Sequence, residues 1–229
     1  MSHWRMKLLV ALALLGEGSL AGAAGASEGQ SAGDRERVRA ATAWYLAMGV
    51  AQSSLPAIDS ELLARGYSGL PRNQVLLGFG AHQPVGRFGG YVGFDVVVPD
   101  KLVSASGSMR LLQSTAAIGA SWSAFQLEGF SLDPTVGAFV RQLKFGDCSG
   151  ENSLCPSERV SFGLDMSVRM LLRQGRAARG AGWLLGTALG YRWEPFPSDW
   201  RNGPLENSQP KVDSSGLIGQ LLVGFWIPT

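Results

Sequence analysis

The sequence predicts an all-β fold, an eight-stranded antiparallel up-and-down transmembrane β-barrel with a filled polar lumen, and three observations predict it. An export leader opens the chain. Behind it one pattern recurs about eight times, with apolar side chains alternating with small or polar ones over roughly ten to fourteen residues. The connections between copies alternate long and short, as loops and turns do on the two sides of a membrane barrel.

The leader is read from Arg5 and Lys7, which precede the apolar run Leu8 to Leu15 and the small-residue stretch Ala21 to Ala26. That run is too short to span a bilayer as a helix, and Ala24 and Ala26 set cleavage before Ser27. Residues 1–26 are therefore expected to be a signal peptide, 27–42 a charged periplasmic lead-in and 43–229 the barrel domain. No cysteine sits near the cleavage site, so no lipoprotein anchor is expected.

About 200 remaining residues suit one domain of about eight strands. Hydrophobic residues make up 45% of the chain and glycine occurs 31 times, a pairing that fits small side chains crowding a narrow lumen. The net charge of +2 gives no case for nucleic acid.

The strands follow in order. The first, Ala43 to Gln52, sets Trp44, Leu46, Met48 and Val50 against Tyr45, Ala47, Gly49 and Ala51. A long connection, Ser53 to Asn73, holds a helical turn in which Asp59 or Ser60 caps, Leu62 and Leu63 pack, and Gly66 stops. The second strand, Gln74 to Gln83, turns at Pro84 to Gly86 into the third, Arg87 to Val98. A loop is expected at Pro99 to Gly107. The fourth strand runs Ser108 to Ser123, and a turn at Ala124 to Phe130 leads to the fifth, Ser131 to Phe145, where Arg141, Gln142 and Lys144 blur the facing.

A polar loop, Gly146 to Glu158, carries Cys148 and Cys155, whose spacing closes a short ring. In an exported protein the pair reads as a disulfide, and two cysteines without a nearby histidine make a poor metal site, so no metal is expected. The sixth strand, Val160 to Arg173, is the clearest: Val160, Phe162, Leu164, Met166, Val168, Met170 and Leu172 oppose Ser161, Gly163, Asp165, Ser167, Arg169 and Arg173. A turn at Gln174 to Gly180 leads to the seventh, Ala181 to Trp193. After a loop at Glu194 to Ser214, the eighth closes the chain over Ser215 to Ile227.

Aromatics are expected in two girdles, with Trp44, Phe88, Trp122, Trp183 and Phe225 at the periplasmic ends and Phe145, Tyr191 and Trp193 at the outer ends. A soluble lipocalin-type barrel would show an outward face rich in Thr, Lys and Glu; the second face here is Gly, Ala and Ser with a few charges, which suits an interior.

Inward parity gives Asp95, Gln113, Asp165, Arg169, Arg192 and Gln220 as a lumen polar network, since buried charges persist when paired. Asp95 and Asp165 should stand at similar height, with Arg169 and Gln220 as partners. A basic rim of Arg110, Arg141, Lys144 and Arg159 is expected at the outer end, joined by Arg72, Lys101, Arg192 and Arg201, where lipid phosphates lie.

With FSLDPTVGAF at Phe130 to Phe139 and the final SSGLIGQLLVGFWIPT, the chain resembles the small bacterial outer-membrane β-barrel proteins of OmpA/OmpX-like architecture over nearly its whole mature length. It departs from them in ending Trp226, Ile227, Pro228, Thr229 instead of at an aromatic. The resemblance implies a bacterial outer-membrane location after export, both termini periplasmic, contact with lipopolysaccharide and the assembly machinery, and no cofactor. It implies a structural or surface-interaction role through the outer loops, with the extracellular ligand unidentified. Eight strands leave an interior filled by side chains, so a general porin is not expected. The alternative is a lipid A deacylase-like enzyme, which would need a His, Ser and carboxylate cluster. His82, in AHQP, lacks a serine two residues away and is expected to stand isolated from any such cluster, so no catalytic residue is assigned.

Overall fold

The computed structural model describes residues 41–53, 59–60, 63–64, 66–69, 71–104, 107–127, 129–146, 157–174, 181–196 and 215–228. The signal peptide, nearly all of the lead-in and the Cys148–Cys155 pair lie outside these residues. Among the described residues nine strands form: β1 (Ala41–Ser53), β2 (Asn73–Val85), β3 (Phe88–Ser104), β4 (Gly107–Trp122), β5 (Phe125–Leu127), β6 (Phe130–Gly146), β7 (Ser157–Gln174), β8 (Gly182–Phe196) and β9 (Gly216–Pro228). Each long strand pairs antiparallel with its neighbours in sequence, β4 passing over β5 to pair with β6, and β1 pairs with β9 from Ala41↔Pro228 to Ser53↔Gly216. Eight strands thereby close on themselves. Closure removes every long sheet edge, as a chain in hydrocarbon requires, because no water is there to satisfy an unpaired backbone group.

Alternation decides the two faces. On β1, Trp44, Leu46, Met48 and Val50 are exposed while Ala43, Tyr45, Ala47 and Ala51 are buried. The same division runs round the barrel, so that Leu77, Phe79, Met166, Leu185, Leu189, Leu221 and Val223 form a continuous apolar exterior. From Trp122 to Leu112, β4 climbs about 25 Å at ~3.3 Å per residue and a tilt of about 40°, the height of a bilayer's hydrocarbon layer. On β6 the blurred facing resolves, with Ser131, Asp133, Thr135, Phe139, Arg141, Leu143 and Phe145 all buried.

Connections differ at the two ends. At the end where Ala41 and Pro228 meet, the terminal end, Gly86 and Arg87 form a two-residue turn between β2 and β3, with Gly86 at φ 63°, a conformation side chains resist. The turn after β4 is itself a small hairpin: β5 pairs with the start of β6 through Gly129 at φ 76°. At the opposite, loop end, Asp59, Ser60, Leu63 and Ala64 are helical and the Gly66 amide donates to the Leu63 carbonyl at 3.0 Å, ending the turn at φ 77°.

The sequence-based loop at Pro99 to Gly107 is mostly strand. β3 and β4 run on to Ser104 and Gly107, with a shift of register between Val97 and Asp100. Pro99 explains both facts: lacking an N–H it cannot join the ladder, so pairing breaks there and resumes beyond it. A second correction concerns Phe145, which is buried in the interior and belongs to no outer girdle. Among the described residues the exposed aromatics toward the loop end are Phe162, Tyr191 and Trp193 on β7 and β8, whereas Trp44, Phe88, Trp122, Phe125, Trp183 and Phe225 surround the terminal end.

Candidate functional site

The lumen is filled, and its charged side chains form three levels. Asp95, Gln113, Asp165, Arg169, Arg192 and Gln220 all sit on inward positions. At mid-height Arg192 of β8 reaches across the barrel to Asp95 of β3, donating from Nη1 to Oδ1 at 3.0 Å and from Nη2 to Oδ2. Its Nε stands 3.7 Å from Asp165, its register neighbour on β7. Both aspartates thus share Arg192. Arg169 takes a different role, donating to the Tyr45 hydroxyl at 3.1 Å and lying over the Tyr91 ring at 4.1 Å from its centroid, where the ring face attracts a cation. Gln220 lines a cavity of about 40 Å³ beside Tyr45, Asp165 and Arg169. That space suits about one water molecule.

Toward the loop end, Glu194 of β8 accepts from Arg159 of β7 and lies 3.9 Å from Arg141 of β6, while its backbone amide donates to Ser215 Oγ at 3.0 Å. Arg141 and Arg159 are therefore corrected from the rim to the lumen. Arg159 is 1% exposed and Arg141 lies 4.9 Å over the Phe139 ring. The physical reason is parity: Arg159 shares a face with Ser161, and Arg141 with Phe139 and Leu143. Of the expected rim set, Arg110 and Lys144 point outward, with Lys144 4.0 Å from Glu158, and Arg72 is exposed, whereas Arg192 belongs to the lumen and the Lys101 side chain and Arg201 lie outside the described residues.

Toward the terminal end, Asp133 accepts from Ser123 Oγ at 2.7 Å and Ser131 Oγ at 2.9 Å. His82 Nε2 and Ser121 Oγ are 2.8 Å apart, bonded across β3. Gly89 permits it: a Cβ there would stand 2.8 Å from Ser121 Oγ and 3.0 Å from His82 Nε2. The expectation of an isolated His82 is thus corrected, since a serine touches it and a carboxylate lies on the same level. The three do not form a relay. Asp133 is bonded to other serines, His82 Nδ1 has no partner among the described residues, and His82 and Ser121 are both buried.

Among the described residues, the fully buried charged set is Arg141, Arg159, Arg169 and Arg192 with Asp95, Asp133, Asp165 and Glu194, four of each sign, and Arg173 stands half-buried on the same inward face toward the terminal end. Sequence reading missed Glu194, Asp133 and Ser121. Glu194 had a signal, since it continues the inward parity of Arg192; Asp133 lay on the strand whose facing was blurred; Ser121 had the glycine opposite it.

An apolar exterior around a closed, ion-paired interior defines the class, an eight-stranded transmembrane β-barrel. Among solved structures the fold is similar to that of Ail, the attachment invasion locus protein of Yersinia pestis, at TM-score 0.51 and 10% identity over 82% of this chain and 99% of that one. Ail has been solved both alone and in complex with the heparin analogue sucrose octasulfate. Neisserial surface protein A aligns at TM-score 0.47 and 13% identity over 82% of this chain and 97% of that one. At these identities the likeness is one of fold. No protein-family model matches the chain, and no curated protein matches it in sequence.

Proposed function

We propose that the chain is a bacterial outer-membrane barrel with a structural or surface-interaction role, acting through the loops at its loop end and conducting no bulk solute. The observation that carries this reading is the pairing of an apolar exterior with a charge-balanced, side-chain-filled lumen. Four arginines locked to carboxylates and tyrosines leave space on the order of one water at mid-height, too little for a hydrated solute. In this reading the terminal end faces the periplasm, the long connections face outward, and the partners are outer-membrane lipid, lipopolysaccharide and the assembly machinery. Cys148 and Cys155 then form a surface disulfide.

The test is fractionation with mobility. The mature chain is expected with outer membranes, migrating differently on a gel when left unheated, and without porin-like conductance in planar bilayers. Recovery as a soluble periplasmic protein would refute the reading. A second reading, a lipid-modifying enzyme, is favoured by the His82–Ser121 contact alone. Ser121→Ala separates them: an enzyme loses lipid A modification in whole cells, a structural barrel changes only in stability.

A further inference from the structure

At mid-height one hydroxyl is left over. Tyr91 of β3 reaches along the barrel wall, its ring passing Gly119 of β4 and its hydroxyl standing over Gly137 of β6, where built Cβ atoms would come within 2.6 Å of each. That hydroxyl is buried and has no hydrogen-bond partner among the described residues. A buried donor left in that state is costly, so it points to a partner. An acceptor stands one strand away. Asp165 of β7 is the register neighbour of Gly137 and lines the same cavity as Tyr91. Among the described residues its one ion pair is with Arg192 Nε at 3.7 Å, longer than a hydrogen bond, because Arg192 commits both terminal nitrogens to Asp95.

Charge and size select what can join the two. Asp95 and Asp165 are matched by Arg169 and Arg192 around this cavity, so an ion of either sign would sit uncompensated at a depth where charge is costly. A neutral molecule that both accepts and donates is required, and about 40 Å³ has room for about one water. We infer that a single internal water is bound here as a bridge, accepting from the Tyr91 hydroxyl and donating to the Asp165 carboxylate. The Gln220 side chain lines the same space and supplies a third partner, which is the usual number for a buried water. The bridge explains how one arginine serves two aspartates: Asp95 takes the guanidinium fork, and Asp165 divides its oxygens between the distant Nε and the water. Toward the terminal end, the apolar cluster of Leu171, Leu184, Leu222 and Trp226 offers no competing polar seat, which holds the water at this level.

The experiment pairs urea unfolding of the full chain in detergent with a crystal structure at a resolution that shows ordered water. Tyr91→Phe keeps the ring on its two glycines and removes the hydroxyl alone. A hydroxyl with nothing bonded to it would leave this variant as stable as the parent or more so, whereas loss of the bridge is expected to raise the unfolding equilibrium constant about tenfold. With Asp165→Leu already in place, Tyr91→Phe should cost less than about threefold, because the bridge has lost its far end. The crystal structure is expected to carry a density peak within hydrogen-bond reach of Tyr91 Oη and an Asp165 oxygen, with no anomalous signal there after a bromide or rubidium soak. Absence of that peak, unchanged or raised stability in Tyr91→Phe, or an equal cost in both backgrounds overturns the bridge. An anomalous peak overturns water as the occupant. Should Tyr91→Phe fail to fold, the density in the parent chain decides alone.

Discussion

At the scale of single residues, Arg192 carries more of the lumen than any other side chain, because both mid-height aspartates depend on it. Replacing it with Met leaves two buried carboxylates without a cation and is expected to destabilise the barrel by about 3 to 5 kcal/mol, measured by urea unfolding in detergent. Adding Asp95→Asn should recover part of that loss, since the double variant removes the stranded charge along with its partner. Arg169→Met should cost less than Arg192→Met, as Arg169 touches tyrosines and no carboxylate within ion-pair distance. The reverse order would mean that the Asp165–Arg169 pairing suggested by their spacing on one strand is the operative one. Parity placed these residues inside, but it could not choose their partners. Asp95 and Arg192 are 97 positions apart in sequence and meet across the barrel, a distance fixed by closure and invisible in either strand. Arg141 and Arg159 teach the converse: Arg159 continues the inward parity of Ser161, Arg141 lay on the strand whose facing was blurred, and only their charge argued for the rim.

At the scale of strands, the alternation of side chains was legible because half of every strand meets hydrocarbon and the other half meets its neighbours across a narrow lumen. Ends were less legible. Glu194 and Pro195 look like loop residues, yet they extend β8, because ladder pairing continues wherever a partner strand is available; the same holds for β3 beyond Pro99. Close approach between strands yields a sharper expectation. On β4 and β6, Gly119 and Gly137 face each other under the Tyr91 ring, and a Cβ on Gly137 would stand 2.6 Å from the Tyr91 hydroxyl. Gly137→Ala must part β6 from the Ile118 carbonyl of β4, 2.3 Å from a built Cβ, as well as displace that ring, and is expected to lower stability by about 1 to 3 kcal/mol, as overpacking does. Gly219→Ala is the control. It lies on the outer face of β9 with nothing within 4 Å of a built Cβ, so the folded fraction on an unheated gel should not fall.

For the whole molecule, the charge-balanced lumen predicts an electrically silent barrel: single-channel recordings should show no stable open level, and Arg169→Ala combined with Tyr91→Ala should admit small ions by enlarging the mid-height cavity. Silence in that double variant would place the constriction elsewhere, at the Arg159–Glu194 level. A last consequence lies in the seam between β1 and β9. Every other long-strand pairing joins strands close by in sequence, through a turn or loop, β1 with β2 among them, but on its other edge Ala41 has to wait for Pro228. Until the final segment has been made, the first strand has an open edge and nothing to close it, so the chain has no stable partial form. Such an edge is a template for pairing with other chains. A polypeptide cut before Gly216, and so lacking β9, should therefore accumulate as aggregate and be degraded instead of settling as a smaller barrel. Closure thus makes β9 a checkpoint, and a stop codon before it costs the cell the entire barrel.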